Sequence, residues 1–229
     1  MKNLLKVIIA TLVLATISGC TGYGVTFQSA PSTQLSDCYP ALVGDWRVIE
    51  GERNAPTSDE DFLSVSPDCS AIMSITFKTE SGKQSAKVDN MKDGKNGSIQ
   101  FAQGSNYDYV VISPKESSFE ITKEITLPSG KIIYQINKGK DGVILRSVDL
   151  DKTAQLVLQK KISGQLYIDN DAPDGRSASN IYVRGDQQKI AGYLENLDVY
   201  SDKRLLLIPA NPKEIKQIQK AIKNNGKEK

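Results

Sequence analysis

Apolar and polar residues alternate with a period of two over most of residues 42–161, which is the pattern of half-buried β-strands. The most regular alternation lies at 119–127, and further strands are predicted at 46–50, 73–77, 84–89, 98–102, 108–113, 131–137, 142–148 and 154–160. Turn signals separate these segments at Ser81-Gly82, Asp93-Gly94, Asn96-Gly97, Ser129-Gly130 and Asp141-Gly142. Residues 38–161 are therefore predicted to be an antiparallel β domain, a meander that forms a calycin-like barrel or a sandwich.

After Ile162 the alternation gives way to a mixed pattern, which predicts a small α+β extension over 162–229. Strands are predicted at 165–169, 180–184 and 205–209, with a short helix at 187–197. A C-terminal amphipathic helix is predicted over 211–224, because Asn211 suits the N-cap and Pro212 suits the first helical position. Its apolar residues, Ile215, Ile218 and Ile222, fall on one face, which we expect to pack on the body.

The first nineteen residues have the parts of a secretory signal peptide. Lys2 and Lys6 precede an apolar stretch at 7–17, which is too short to cross a bilayer, and small residues then precede Cys20. Ile17-Ser18-Gly19-Cys20 resembles the bacterial lipobox. The resemblance implies cleavage before Cys20 and lipidation of its sulfur, so that fatty acyl chains anchor the chain to a membrane. Thr21 in place of an aspartate favours the outer membrane, with the protein facing the periplasm or the cell surface.

The segment that follows the lipobox is rich in Gly, Ser, Thr and Gln. Its composition predicts that residues 20–37 form a lipidated, flexible tether with a span of roughly 20–25 Å. An alternative reading is that Val25 and Phe27 add an edge strand to the domain.

Charge argues against nucleic acid as a partner. The 29 basic residues include the two lysines of the signal peptide, so the remaining 27 equal the 27 acidic residues. Proteins that bind nucleic acid carry a basic surplus instead. Basic residues do outnumber acidic ones over 203–229. That surplus indicates either the solvated face of a helix or a surface for anionic lipid or glycan.

Two cysteines remain once Cys20 carries the lipid. An even pair in an oxidising compartment predicts a disulfide between Cys38 and Cys69. Neither cysteine belongs to a C-x-x-C motif, so the bond is predicted to be structural rather than redox-active.

The residues that most enzymes need are missing. The chain has no histidine, which excludes histidine-based triads and imidazole metal ligands, and it has neither a P-loop nor a Ser-x-x-Lys motif. We therefore expect no enzymatic activity, no catalytic residue and no cofactor. A glycosidase that uses paired carboxylates is a distant alternative, because the sequence singles out no pair.

One acidic segment is a candidate cation site. Residues 169–175 gather Asp169, Asp171 and Asp174 with Asn170 around a glycine, and these oxygen ligands suit calcium. The spacing is one residue too long for an EF-hand loop, and Asn180 stands where the bidentate glutamate belongs. An ordinary turn between two strands is the favoured reading, so no metal site is assigned.

Gly44-Asp45-Trp46 opens the β region and resembles the Gly-x-Trp block of lipocalins and related calycin barrels. The order at the other end, a last apolar strand followed by prolines and a helix over 205–224, is similar to theirs as well. The resemblance implies that Gly44 and Trp46 lie at the barrel floor and that the domain binds a small apolar ligand. The leading hypothesis is thus a membrane-anchored, non-catalytic lipoprotein with a lipocalin-like ligand. The alternative is an interaction protein in envelope assembly or adhesion, without such a ligand.

Overall fold

The computed structural model describes residues 24–50, 59–80, 83–92, 97–114, 120–122, 125–126, 128–168 and 178–225. The strands are β1 (Gly24–Phe27), β2 (Leu35–Ser36), β3 (Gly44–Glu50), β4 (Asp59–Val65), β5 (Ile72–Glu80), β6 (Lys83–Asn90), β7 (Gly97–Gln103), β8 (Asp108–Pro114), β9 (Glu120–Thr122), β10 (Ile125–Thr126), β11 (Ile132–Lys138), β12 (Val143–Val148), β13 (Gly164–Ile168), β14 (Ala178–Val183) and β15 (Tyr200–Pro209). The helices are a 3-10 turn (Pro40–Leu42), α1 (Leu150–Leu158), α2 (Gln187–Asn196) and α3 (Pro212–Asn225).

A ten-stranded antiparallel sheet curls into a half-barrel and forms the centre of the fold. Its strand order is β2-β7-β8-β11-β12-β15-β3-β4-β5-β6. Strands β3 to β6 form one meander, β7, β8, β11 and β12 form a second, and β15 joins them by pairing with both β12 and β3. The predicted mainly-β class, with an antiparallel meander and a C-terminal helix, is confirmed. The two edges of the sheet are β2 and β6, and we refer to the gap between them as the seam.

Strand alternation places one set of side chains on the concave face. Along β12, for example, Val143 and Leu145 are buried while Ile144 and Arg146 are half-buried. The buried residues of this concave core are Tyr39, Leu42, Val65, Cys69, Ile72, Ile99, Phe101, Val110, Tyr134, Ile136, Val143, Leu145, Leu205 and Leu207. Because both meanders and β15 contribute to it, one core joins the whole sheet.

The convex face is covered in two places. A three-stranded sheet, in the order β1-β14-β13, packs together with α1 and α2 against β7, β8 and β11. Its buried residues are Val25, Phe27, Ala102, Tyr109, Val111, Ile133, Ile162, Ile181, Val183, Ile190, Leu194, Val199 and Tyr200. Helix α3 covers β4 and β5 with the predicted apolar face, on which Ile218 is fully buried and Ile215 and Ile222 are partly buried.

Several elements differ from the sequence predictions. The strand predicted at 154–160 is helix α1, whose N-cap Asp149 accepts a hydrogen bond from the Lys152 backbone N–H at 2.9 Å. Strand β4 was not predicted. The described part of 119–127 holds two short paired strands, β9 and β10, rather than one; Phe119, residues 123–124 and Leu127 lie outside the described residues.

Two segment boundaries also differ. The predicted tether over 20–37 contains β1 and β2, and Val25 and Phe27 are buried, as the alternative reading of an edge strand expected. Residues 162–229 do not form a separate extension, because β15 lies in the middle of the ten-stranded sheet. Cys20 and the signal peptide lie outside the described residues.

Candidate functional site

The Cys38–Cys69 disulfide ties the two sides of the seam together. The bond is present as predicted, with the two Cα atoms 5.2 Å apart. Cys38 follows β2, which is one edge of the sheet, whereas Cys69 lies in the turn between β4 and β5, near the other edge. The Lys92 ammonium strengthens the link, because it donates to the carbonyl oxygens of Asp37 and Cys69. The disulfide therefore holds together the half-barrel where its strands do not pair.

The turn that carries Cys69 is built by its polar neighbours. Cys69 has a positive φ of 55°, which a side chain other than glycine adopts only when its surroundings enforce it. The Asp68 carboxylate accepts hydrogen bonds from the Ser66 hydroxyl at 2.7 Å and from the Ser70 backbone N–H at 3.1 Å. These bonds lower the pKa of Asp68 to about 2, the Ser66 hydroxyl contributing most.

Gly44 and Trp46 lie at the start of β3, beside the 3-10 turn. Gly44 has a φ of +124°, a conformation that favours glycine. The Trp46 Nε1–H donates to the Leu42 carbonyl at 2.8 Å, and its ring packs on the concave core. The tryptophan thus links β3 to the 3-10 turn that precedes it. The role of Gly44 and Trp46 as a barrel floor stays a prediction drawn from the lipocalin resemblance.

Tyr39 belongs to the same concave core on which Trp46 packs, and the sequence analysis did not single it out. Its ring stacks on Phe101 with the centroids 5.5 Å apart, and its hydroxyl donates to the Asp108 carboxylate. The Lys138 ammonium lies 4.9 Å above the ring and 3.7 Å from Asp108. Burial, and then the hydrogen bond to Asp108, raise the pKa of Tyr39 far above its usual range. The available signal was its position directly after a bridged cysteine, which placed it close to the core.

Carboxylates along β3 to β6 bond to hydroxyls and ammonium groups. Asp61 accepts from Thr76 at 2.7 Å, Asp45 accepts from Ser64 at 2.6 Å, and Asp89 pairs with Lys87 at 2.6 Å. No group of three Cys, Asp or Glu side chains in the described ranges could hold a metal ion. The calcium candidate at 169–175 lies outside the described residues.

A shallow surface cavity of about 420 Å³ lies between α1, β13 and α2, and we call it the α1–β13 groove. Its lining residues are Val157, Lys160, Lys161, Ile162, Ser163, Gly164 and Tyr193. Next to it, the Leu158 side chain is 69% exposed, an unusual position for a large apolar group in this fold. The groove therefore combines a few apolar side chains with two exposed lysines, and a ligand or partner could reach it from solvent.

The backbone at the end of α1 sets the direction of the two lysines. Lys160 has a φ of 58°, and its N–H donates to the Val157 carbonyl at 3.0 Å. The Lys161 N–H donates to the Leu156 carbonyl at 2.9 Å, which completes a Schellman motif. The motif ends the helix and turns the chain into Ser163 and β13. Sequence reasoning missed this site because it assigned 154–160 to a strand.

Among the described residues, no helix is long and apolar enough to span a membrane. Comparisons of this chain with protein-family models, with curated proteins and with solved structures found no match.

Proposed function

We propose that this chain is a lipid-anchored envelope protein whose β half-barrel binds another macromolecule without catalysing a reaction. The observation that carries the proposal is that the concave face of the half-barrel is filled by its own side chains. The lipobox at 17–20 supports the anchor.

Packing of the concave core favours a macromolecular partner over a small apolar ligand. Carrier proteins hold their ligands in cavities of several hundred Å³ lined by apolar side chains. Here Tyr39, Phe101, Tyr134 and Leu207 are each less than 7% exposed, and they fill the space that such a ligand would take. Protein interiors are packed as densely as organic crystals, so a ligand could enter only by displacing these side chains.

A lipocalin-like carrier is the second candidate. The antiparallel sheet is curled as in such a barrel. Near the start of β3, the Trp46 Nε1–H donates a hydrogen bond to the carbonyl of Leu42 in the 3-10 turn. A ligand could enter if the seam between β2 and β6 opened. The disulfide and Lys92 oppose that opening, which is why the carrier comes second.

The short segment between Cys20 and β1 supports a function at the membrane surface. Strand β1 begins at Gly24, four residues after Cys20, and four residues span at most about 14 Å. A lipid on Cys20 would therefore hold the small sheet close to the bilayer, with little of the reach that a long flexible tether gives. Such a position suits a protein that holds a partner at the envelope.

Native mass spectrometry of the full chain, extracted from its envelope in mild detergent, tests the proposal. We expect the mass of the lipidated protein, lowered by the two hydrogens lost in the disulfide, either alone or with the mass of a bound macromolecule. An additional mass of small-molecule size that disappears on denaturation would instead identify a carried ligand and overturn the proposal.

Fluorescence of Trp46 gives an independent test, because it is the single tryptophan of the chain. We expect its emission to stay unchanged when a fluorescent fatty acid is added to the protein, since the concave core is already full. A Trp46→Phe variant is the control for background signal. Saturable quenching that this variant lacks would favour the carrier.

A further inference from the structure

Strand β13 lies at the edge of the three-stranded sheet, and among the described residues its outer side has no paired strand. In the three-stranded sheet, β14 lies between β1 and β13. The other edge of β1 is occupied, because Phe27 and Lys131 exchange two backbone hydrogen bonds of 2.7 and 2.8 Å. On the outer edge of β13, the described part of the chain provides no main-chain partner.

The pairing of β13 with β14 shows which backbone groups face outward. The Arg184 N–H donates to the Ser163 carbonyl at 2.8 Å, so these two residues form a hydrogen-bonded pair. Hydrogen-bonded and non-bonded pairs alternate along an antiparallel ladder. Gly164, opposite Val183, and Leu166, opposite Ile181, are therefore non-bonded pairs. The N–H and C=O groups of Gly164 and Leu166 consequently point away from β14.

Strand β13 lacks the features by which β2 and β6 discourage strand addition. Strand β2 is two residues long, and β6 carries Lys83, Lys87 and Asp89. Short edges and charged edges are the usual means by which proteins prevent unwanted strand addition. Strand β13 reads Gly-Gln-Leu-Tyr-Ile, without a charge or a proline. An uncharged five-residue edge that has no main-chain partner in the described part of the chain is therefore a candidate docking site.

Charge next to β13 indicates the partner's chemistry. Gly164, the first residue of β13, lines the α1–β13 groove. The two charged residues of the lining, Lys160 and Lys161, are exposed. The lining contains no carboxylate that could neutralise them. An acidic partner would supply the missing opposite charges, and apolar side chains of the same partner would meet Val157 and Tyr193 in the groove.

We propose that β13 accepts an extended acidic segment of a partner protein as an additional strand. The segment's backbone bonds to Gly164 and Leu166, and its carboxylates meet Lys160 and Lys161 in the groove. This is β-strand addition, in which the backbone provides affinity and flanking side chains provide selectivity. The inference deepens the proposed function, on which it rests, by naming the surface and the class of partner.

Photo-crosslinking in the native host tests the docking site on the full, anchored chain. A benzophenone amino acid replaces Gln165, an exposed residue of β13, and in a separate variant replaces Gln217, an exposed residue of α3, as the control position. The crosslinked segment is then mapped by mass spectrometry. We expect an acidic protein segment to crosslink at 165 and not at 217.

Charge reversal tests the role of the lysines. We expect Lys160→Glu combined with Lys161→Glu to reduce the crosslink at 165 at least ten-fold. The matched control, Lys216→Glu combined with Lys220→Glu, reverses two exposed lysines on α3 and should leave the crosslink unchanged. Equal loss in both double variants would overturn the electrostatic part of the proposal.

A pair of variants at Leu166 tests strand addition itself. Leu166→Ala and Leu166→Pro both remove the side chain, but only proline removes the outward N–H. We expect the crosslink to persist in the alanine variant and to be lost in the proline variant, with both variants folded by circular dichroism. If the proline variant does not fold, hydrogen exchange of the Leu166 amide in the wild-type chain is measured with and without the partner. Strand addition requires that the partner slows this exchange.

Other results would overturn the inference. The inference fails if the species crosslinked at position 165 is a lipid, a glycan or a protein segment without acidic residues. It also fails if nothing is crosslinked there. A partner captured at position 217 but not at 165 would remove this docking site and leave the proposed function standing. A small molecule found by native mass spectrometry would instead remove the proposed function.

Discussion

Lys160 lies two residues beyond the end of α1, and it holds a backbone conformation that usually belongs to glycine. Its φ is 58°, within the Schellman motif that the Lys160 and Lys161 N–H groups complete. A left-handed conformation costs a residue with a Cβ roughly 1–2 kcal/mol. The lysine at this position has a cost in stability, which suits a residue kept for its charge in the groove.

Replacing Lys160 by glycine should therefore stabilise the fold. We expect Lys160→Gly to raise the free energy of unfolding by about 0.5–1 kcal/mol, measured by urea denaturation, because the gain in backbone conformation exceeds the added entropy of the unfolded chain. Gln159→Gly is the control, since Gln159 has a helical φ of −75° and glycine there should destabilise by about 0.5–1 kcal/mol. Equal destabilisation by both substitutions would contradict the argument.

Four buried tyrosines should make the fold sensitive to alkali. Burial raises the pKa of Tyr39, Tyr109, Tyr134 and Tyr200 above that of an exposed tyrosine. The negative charge of Glu195 raises the pKa of Tyr109 further, and Tyr109 raises that of Tyr200. Above about pH 10 the unfolded chain loses these protons while the native chain keeps them. Stability is thus unaffected below that pH and falls as the pH rises beyond it.

The alkaline transition can be followed by tyrosinate absorbance. We expect part of the absorbance of the nine tyrosines to appear only together with unfolding, seen as loss of circular dichroism. Each phenol that titrates only on unfolding steepens the decline by about 1.4 kcal/mol per pH unit. Full tyrosinate absorbance in a protein that is still folded would contradict the burial of these groups.

At the scale of the element, α3 shows how a helix predicted from sequence is held in place. Asn211 caps it by accepting from the Lys213 and Glu214 N–H groups, and Glu214 bonds back to the Asn211 N–H at 2.7 Å. Glu214 also pairs with Arg47 of β3 at 3.2 Å. The sequence predicted this cap and the apolar face, because both are local signals.

Helix α3 is expected to depend on Ile218, which is fully buried against β4 and β5. Ile218→Ala should lower the free energy of unfolding by about 2–5 kcal/mol, because it removes buried methyl groups and leaves a cavity. Gln219→Ala, on the exposed face, should change it by less than about 0.5 kcal/mol. Urea denaturation of the two variants provides the comparison, and similar values would show that α3 is not packed on the sheet.

Helix α1 illustrates the opposite case. Ala154, Leu156 and Leu158 occupy every second position, which predicts a strand, whereas Leu150, Ala154 and Val157 share one helical face. The Asp149 cap and the packing of that face against β14 decide for the helix, and Leu158 is then left exposed. A short apolar run fits both periods, so only its tertiary surroundings distinguish them.

For the whole molecule, the disulfide is expected to be a major source of stability. Cys38→Ser combined with Cys69→Ser should lower the free energy of unfolding by about 3–4 kcal/mol, because the bond closes a loop across a sequence separation of 31 residues. Urea denaturation of the reduced wild-type chain is the control and should give the same loss. A change below about 1 kcal/mol would mean that hydrogen bonds and core packing alone hold the seam.

Sequence by itself determined the local and the pairwise features of this protein. The strand segments, the turns between them and the capped C-terminal helix follow from residue periodicity and turn chemistry, which act over a few positions. The Cys38–Cys69 bond was predictable because these are the two cysteines that remain after Cys20 is assigned to the lipid. The resemblance of residues 17–20 to a lipobox is also local, and it predicts lipidation of Cys20.

Tertiary structure alone decided how distant segments combine. Nothing local indicates that β15 pairs with β3, or that β14 is the partner of β1, although the sequence offered β1 as an edge strand. The filling of the concave core by Tyr39 and the position of β13 at the edge of its sheet depend equally on residues far apart in the chain. These features arise because each apolar face and strand edge could pack against several others, and the fold of the whole chain selects among them. Local patterns therefore fix the elements, and only the assembled fold shows which surfaces remain free to bind.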